Sequence, residues 1–266
     1  MKVLNITNQS SLVVDNLILE NDYISPGFRY LNPDACFPHM TIGKYEKNPW
    51  AYLRTECTHN WYVDARYPTV GFLSRDEAAL IYNLALARNS ERVLEIGVWK
   101  GWSACHIALS GALVDAIDPL LADPVHRAQV ESSLWLAGVR DRVRLHPGKS
   151  PETVRQLAGT GVRWGLIFID GDHEGSAPVV DALVCEEYAN KDTWILFHDL
   201  ASPHVAAGLA VLQNHGWHTQ VYETHQIMGI AWKAGASPCV HIPDKNLGVR
   251  LPKHVRELNR NSYGIR

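Results

Sequence analysis

The sequence predicts a doubly wound α/β protein whose mostly parallel sheet ends in an antiparallel hairpin and carries an N-terminal cap. Three observations lead there. From about residue 71, short β-branched and aliphatic runs alternate with segments of helical periodicity. The first of these runs, 92–97, breaks into a glycine turn at the mouth of a helix. The last two extended runs, 217–224 and 228–234, are too close together for a crossover helix, so they pair as antiparallel neighbours.

The elements follow in order. Ser74 and Glu77 form a capping box that opens an apolar-periodic helix through Ala87. Strand 92–97, helix 101–110, strand 113–118, helix 124–137 and strand 143–147 come next. A helix from about Pro151 to Leu157 leads to strand 164–170, helix 176–189, strand 193–199 and helix 204–215. The middle strands are apolar along their whole length, as strands buried on both faces under helices are. These limits assign residues 71–235 to one domain. Residues 1–70 differ in character, with many Tyr and Trp residues among prolines and weak periodicity. They read as a cap or lid, with some strand near 11–19 and irregular structure or short helices beyond it. An oligomer surface is an equal reading. Residues 236–266 read as an irregular tail with a basic lean, solvated or touching another subunit of a homo-oligomer, with an active-site flap as the alternative.

Bulk properties narrow the function. Hydrophobic content of 46% and charged content of 20% over 266 residues fit a globular protein with a full core. A net charge of −3 gives no footprint for nucleic acid or an anionic membrane. The first residues are broken by Asn, Gln, Ser and Asp before any apolar segment reaches signal length, and no run reaches a membrane span. The five cysteines, Cys36, Cys57, Cys105, Cys185 and Cys239, are scattered and never in C-x-x-C spacing. Cytoplasmic residence is the expectation, without zinc ribbon or disulfide framework.

The stretch Val93–Ser103, VLEIGVWKGWS, reads E-x-G-x-x-x-G. A strand ending in such a turn presents backbone N–H groups and a helix N-terminus to a ligand. A dinucleotide loop would carry an additional early glycine, which is absent here. The loop resembles motif I of the class I S-adenosylmethionine (SAM) methyltransferases, whose Rossmann-like sheet also ends in an antiparallel hairpin. On that resemblance Glu95, Gly97, Gly101 and Ser103 surround the amino-acid portion of SAM. Asp118 ends the second strand of the domain, where a carboxylate can accept both ribose hydroxyls; a helix cap is its other reading. Gly148, Lys149 and Ser150 stand at the adenine edge, with Ser150 equally a candidate N-cap.

A second constellation is Asp170-Gly171-Asp172-His173 with His198-Asp199 at the end of the next strand. Adjacent strands lie about 4.8 Å apart, so Asp170 and Asp199 can share one hard cation. His198 is a third ligand or a packed spectator, and Asp172 a ligand or a solvated acid. Asp170 also borders Gly97 at the point where strand order reverses, and so belongs to the cofactor site as well. Residues 71–235 resemble the metal-dependent small-molecule O-methyltransferases, which include macrolide-sugar methyltransferases, and the cephalosporin hydroxylase-like group. That resemblance implies magnesium or another divalent ion at Asp170 and the 198–199 pair, and His173 as general base. His198 departs from the family's usual acid and favours a softer metal. The expected acceptor is a small molecule: a sugar diol, a catechol or a natural-product scaffold. A metal-independent N- or C-methyltransferase and a SAM-binding accessory protein remain the alternatives.

Overall fold

The structure, a computed structural model, describes residues 22–44, 50–57, 59–88, 91–235, 237–247 and 250–262. The strand expected near 11–19 lies outside the described residues.

The main sheet has seven strands in the order β6-β5-β4-β7-β8-β10-β9. They are β4 (Arg92–Ile96), β5 (Leu113–Asp118), β6 (Val143–Pro147), β7 (Leu166–Ile169), β8 (Trp194–Phe197), β9 (His218–Tyr222) and β10 (Met228–Trp232). The first five neighbours pair in parallel, whereas β10 is antiparallel to both β8 and β9. This is the predicted sheet. Chain order reverses between β4 and β7, so the site falls at the carboxyl ends of those two strands.

Helices cover both faces: α1 (Arg75–Ala87), α2 (Trp102–Leu109), α3 (Pro124–Leu136), α4 (Glu152–Gly159), α5 (Ala177–Glu187) and α6 (Pro203–Asn214). Side-chain alternation along the strands sends successive residues to opposite faces, and two apolar cores result. Val93, Leu166, Phe168 and Leu196 belong to the core under α1, α2 and α3. Leu94, Ile96, Ile167 and Phe197 belong to the core under α4, α5 and α6. The capping box is formed as expected, with the Ser74 side chain accepting from the Glu77 amide and Glu77 accepting from the Ser74 amide.

Two expectations are corrected. The segment before residue 71 contains a small antiparallel sheet of β1 (Met40–Ile42), β2 (Tyr62–Asp64) and β3 (Tyr67–Val70). All three residues of β2 are buried, so alternation of polarity, the signal a strand usually gives, is absent there. The tail is not wholly irregular, since α7 (Lys253–Ser262) buries Val255 and Leu258 in the core beside α6. Two apolar anchors in a basic segment were too few to reveal it. Among the described residues no helix is long and apolar enough to cross a membrane.

Candidate active site

A cavity of about 880 Å³ opens over the carboxyl ends of β4, β5, β7 and β8. Its first wall is the glycine loop. Gly97 has φ +93°, and a Cβ there would meet the carbonyl oxygen of Asp170 at 2.0 Å. Only glycine lets this turn lie against the β7 end, which brings the glycine loop and the acidic cluster together. Gly101 has φ +84° and packs toward Val130, and neither Gly101 nor Glu95 reaches the cavity wall. Glu95 is fully buried in β4, and burial pushes its carboxyl up to about 8. Ser103 does line the cavity.

Asp118 holds the loop from beneath. One carboxylate oxygen accepts from the amides of Val98 and Trp99, both at 2.9 Å, and the other from Leu120 at 2.8 Å. The side chain is 6% exposed and lines the cavity. Each carboxylate oxygen has about two acceptor sites. The bond from Leu120 is the helix-cap reading of Asp118, and about one acceptor site of the four stays unused by the protein. Gly148, Lys149 and Ser150 line the far end. Ser150 does not cap α4, whose flanking residue is Pro151 with no side-chain cap bond.

Asp170, His173, His198 and Asp199 meet at the near end. His173 sends Nε2 to within 3.2 Å of Asp170 Oδ1 and Nδ1 to within 3.3 Å of Asp199 Oδ2. His198 Nδ1 lies 3.2 Å from Asp170 Oδ1 and 3.4 Å from Asp199 Oδ2. Burial alone would lower the His198 pKa, but Asp199, Asp170 and Glu77 outweigh it and raise it well above the ordinary range. Burial alone would raise the Asp170 pKa, but the two histidines hold it below the ordinary carboxylate range. Single atoms of Asp170, His173 and Asp199 all lie within 4.8 Å of one another. Asp199 adopts φ +60°, uncommon outside glycine, and its Oδ1 is buried without a hydrogen-bond partner among the described residues. Asp172 is exposed and accepts from the Glu174 amide, so it caps a turn and stays outside the cluster.

Three contributors were missed from sequence. Tyr52, from the cap, places its hydroxyl 2.7 Å from His173 Nδ1. Glu77, the capping acid, is 1% exposed. It lies 3.4 Å from His198 Nε2 and accepts from the Gln226 amide at 2.8 Å. Arg54 donates to the carbonyls of Thr224 and His225 in the hairpin turn, tying the cap to the main sheet. Each contact joins segments 121 or more residues apart, and no local pattern marks it.

Residues 94–200 match the family model described as a methyltransferase domain. A catechol O-methyltransferase of Mycobacterium tuberculosis is 32% identical over 108 residues, 41% of this chain and 48% of that protein. The chain spans about half the length of the curated relatives it matches. Among solved structures, an O-methyltransferase from Bacillus cereus in complex with SAH aligns with a TM-score of 0.53 at 15% identity. It covers 61% of this chain and 83% of that one. The O-methyltransferase TomG from Streptomyces achromogenes, in complex with SAM, gives 0.52 at 16%, covering 62% and 83%. The fold is therefore the class I methyltransferase fold.

Proposed function

We propose that the chain is a SAM-dependent O-methyltransferase acting on a hydroxyl of a small molecule, assisted by a divalent cation and with His173 as general base. One observation carries the reading: the left-handed glycine loop and the Asp170–His173–Asp199 cluster share one cavity. The methyltransferase-domain match and the names of the curated relatives support it. Those relatives act, by name, on a catechol, which favours an acceptor with two adjacent oxygens.

SAM supplies a methyl group on a sulfonium, whose departure leaves a neutral thioether. Ser103, at the start of α2, would face its amino-acid end, and Asp118 would keep the loop in shape while offering one acceptor site to the ribose. The donor set fits a divalent ion. Asp170 and Asp199 bring two carboxylates, one with an unpartnered buried oxygen, and His198 brings an imidazole. Mixed nitrogen and oxygen donors suit a manganese- or zinc-like ion as well as magnesium. His198 can ligate only as the neutral imidazole, so loading would release its proton. A bound ion would act as a Lewis acid that acidifies the acceptor hydroxyl.

His173 would take the acceptor's proton at Nδ1 through the Tyr52 hydroxyl, while Asp170 holds the Nε2 hydrogen, a contribution of roughly 10²–10⁴-fold. Residues 1–70 would serve as the lid, since Trp50, Tyr52, Trp61 and Tyr62 close the cavity with apolar surface. Positioning of acceptor and methyl is worth roughly 7–11 kcal/mol of barrier. The test is methyl transfer from labelled SAM to a panel of diols and catechols, with and without chelator. Transfer that is lost on chelation supports the reading, and full turnover in chelator removes the metal from it.

A further inference from the structure

We propose that Asp181 is the residue that recognises the purine base, accepting a hydrogen bond from its exocyclic amino group. The inference rests on the cofactor reading above. Asp181 lies in the middle of α5 and lines the same cavity, at its far end. It is 5% exposed. A Cβ built on Gly171 would lie 3.7 Å from Asp181 Oδ2, which places the carboxyl beside the loop leaving β7. Ser150, from the loop after β6, is the polar neighbour on its other side, and its hydroxyl oxygen is buried too.

The Ser150 hydroxyl is the carboxyl's neutral polar neighbour within the protein, and Asp181 caps neither end of α5. Burial, with smaller contributions from the acids Asp172 and Glu152, pushes its pKa up to about 6 against the lowering effect of the Ser150 hydroxyl. A buried carboxyl without a counterion is costly unless something in the cavity pairs with it. The sheet order limits what that is. A ligand laid from the β4 loop across Asp118 at the β5 end presents its third part to the β6 loop, whose Ser150 neighbours Asp181. For SAM that part is adenine, whose edge carries an amino donor beside a ring-nitrogen acceptor. The ionised carboxylate accepts from the amino group, and the neutral carboxyl does so while donating to the ring nitrogen. Either protonation state therefore serves.

The experiment is a double-mutant cycle read by calorimetry on the full chain. S-adenosylhomocysteine is compared with its analogue lacking the 6-amino group, in wild type, Asp181→Ala and Asp181→Asn. Expected is a loss of about 10-fold or more in wild type on deleting the amino group, and less than about 3-fold in Asp181→Ala. Asp181→Asn retains most of the affinity, because its carboxamide oxygen still accepts. Equal discrimination in wild type and Asp181→Ala overturns the proposal, whether or not overall affinity falls. If wild type binds neither compound, the cofactor reading fails first and this inference with it. Thermal melts confirm that each variant is folded.

Discussion

The hydroxyl of Tyr52 lies 2.7 Å from Nδ1 of His173, joining the N-terminal cap to the proposed base. Burial, then Asp199 and Asp170, push the Tyr52 pKa up, so the phenol stays protonated. With the neutral imidazole the Nε2 hydrogen faces Asp170, 3.2 Å away, and the phenol donates to Nδ1. The acceptor's proton would therefore reach Nδ1 by relay, the phenol passing on its own proton as it takes that one. Tyr52→Phe removes this partner. We expect kcat to fall about 10-fold, the worth of one hydrogen bond of roughly 1.4 kcal/mol, with the KM for SAM unchanged. Steady-state kinetics check it, and an unchanged kcat would remove Tyr52 from the site.

Asp118 clamps the glycine loop through the amides of Val98 and Trp99 and caps its own turn through that of Leu120. Asp118→Ala leaves those donors without an acceptor and should cost about 3 kcal/mol of stability. Affinity for S-adenosylhomocysteine should fall at least about 10-fold, because the loop loses its shape. Asp118→Asn, which keeps an acceptor on only one side, should fall between the two. Denaturant melts and calorimetry measure both effects.

Asp170 and Asp199 are the proposed cation carboxylates. EDTA should abolish turnover and added divalent ion restore it. Asp170→Asn should remove bound metal, read by elemental analysis, while S-adenosylhomocysteine affinity changes less than about 3-fold. Loss of that affinity instead would mean that Asp170 chiefly serves the cofactor.

Asp115, inside β5, gives a pH-dependent stability. It accepts from Arg92 and Trp164 at 3.0 Å and from His146 at 3.2 Å, and is 2% exposed. Burial alone would raise its pKa, but the hydrogen bonds from His146, Trp164 and Arg92 outweigh it and hold it below the ordinary 3.8. Its folded pKa is thus below the unfolded one. Its contribution is fully present above about pH 4 and is lost as pH falls through the folded value. Asp115→Asn should cost about 3 kcal/mol at neutral pH, with a smaller difference from wild type in strong acid. Urea melts from pH 2 to pH 7 measure this, and a constant difference would contradict it.

The sequence by itself determined the order and direction of the sheet, because periodicity, glycine turns and short connections are local properties of the chain. It also located both ends of the site, since the motifs at 93–103, 170–173 and 198–199 sit on strand ends that any doubly wound sheet brings together. Tertiary structure alone decided what each group faces. Asp118 turned its carboxylate to backbone amides, Asp172 stayed in solvent, and Glu77 reached from a helix cap to His198. Tyr52 and Arg54 entered from a cap whose buried strand shows no alternation. These partners lie 20 to 170 residues apart, and a side chain's orientation is fixed by packing rather than by neighbours in sequence.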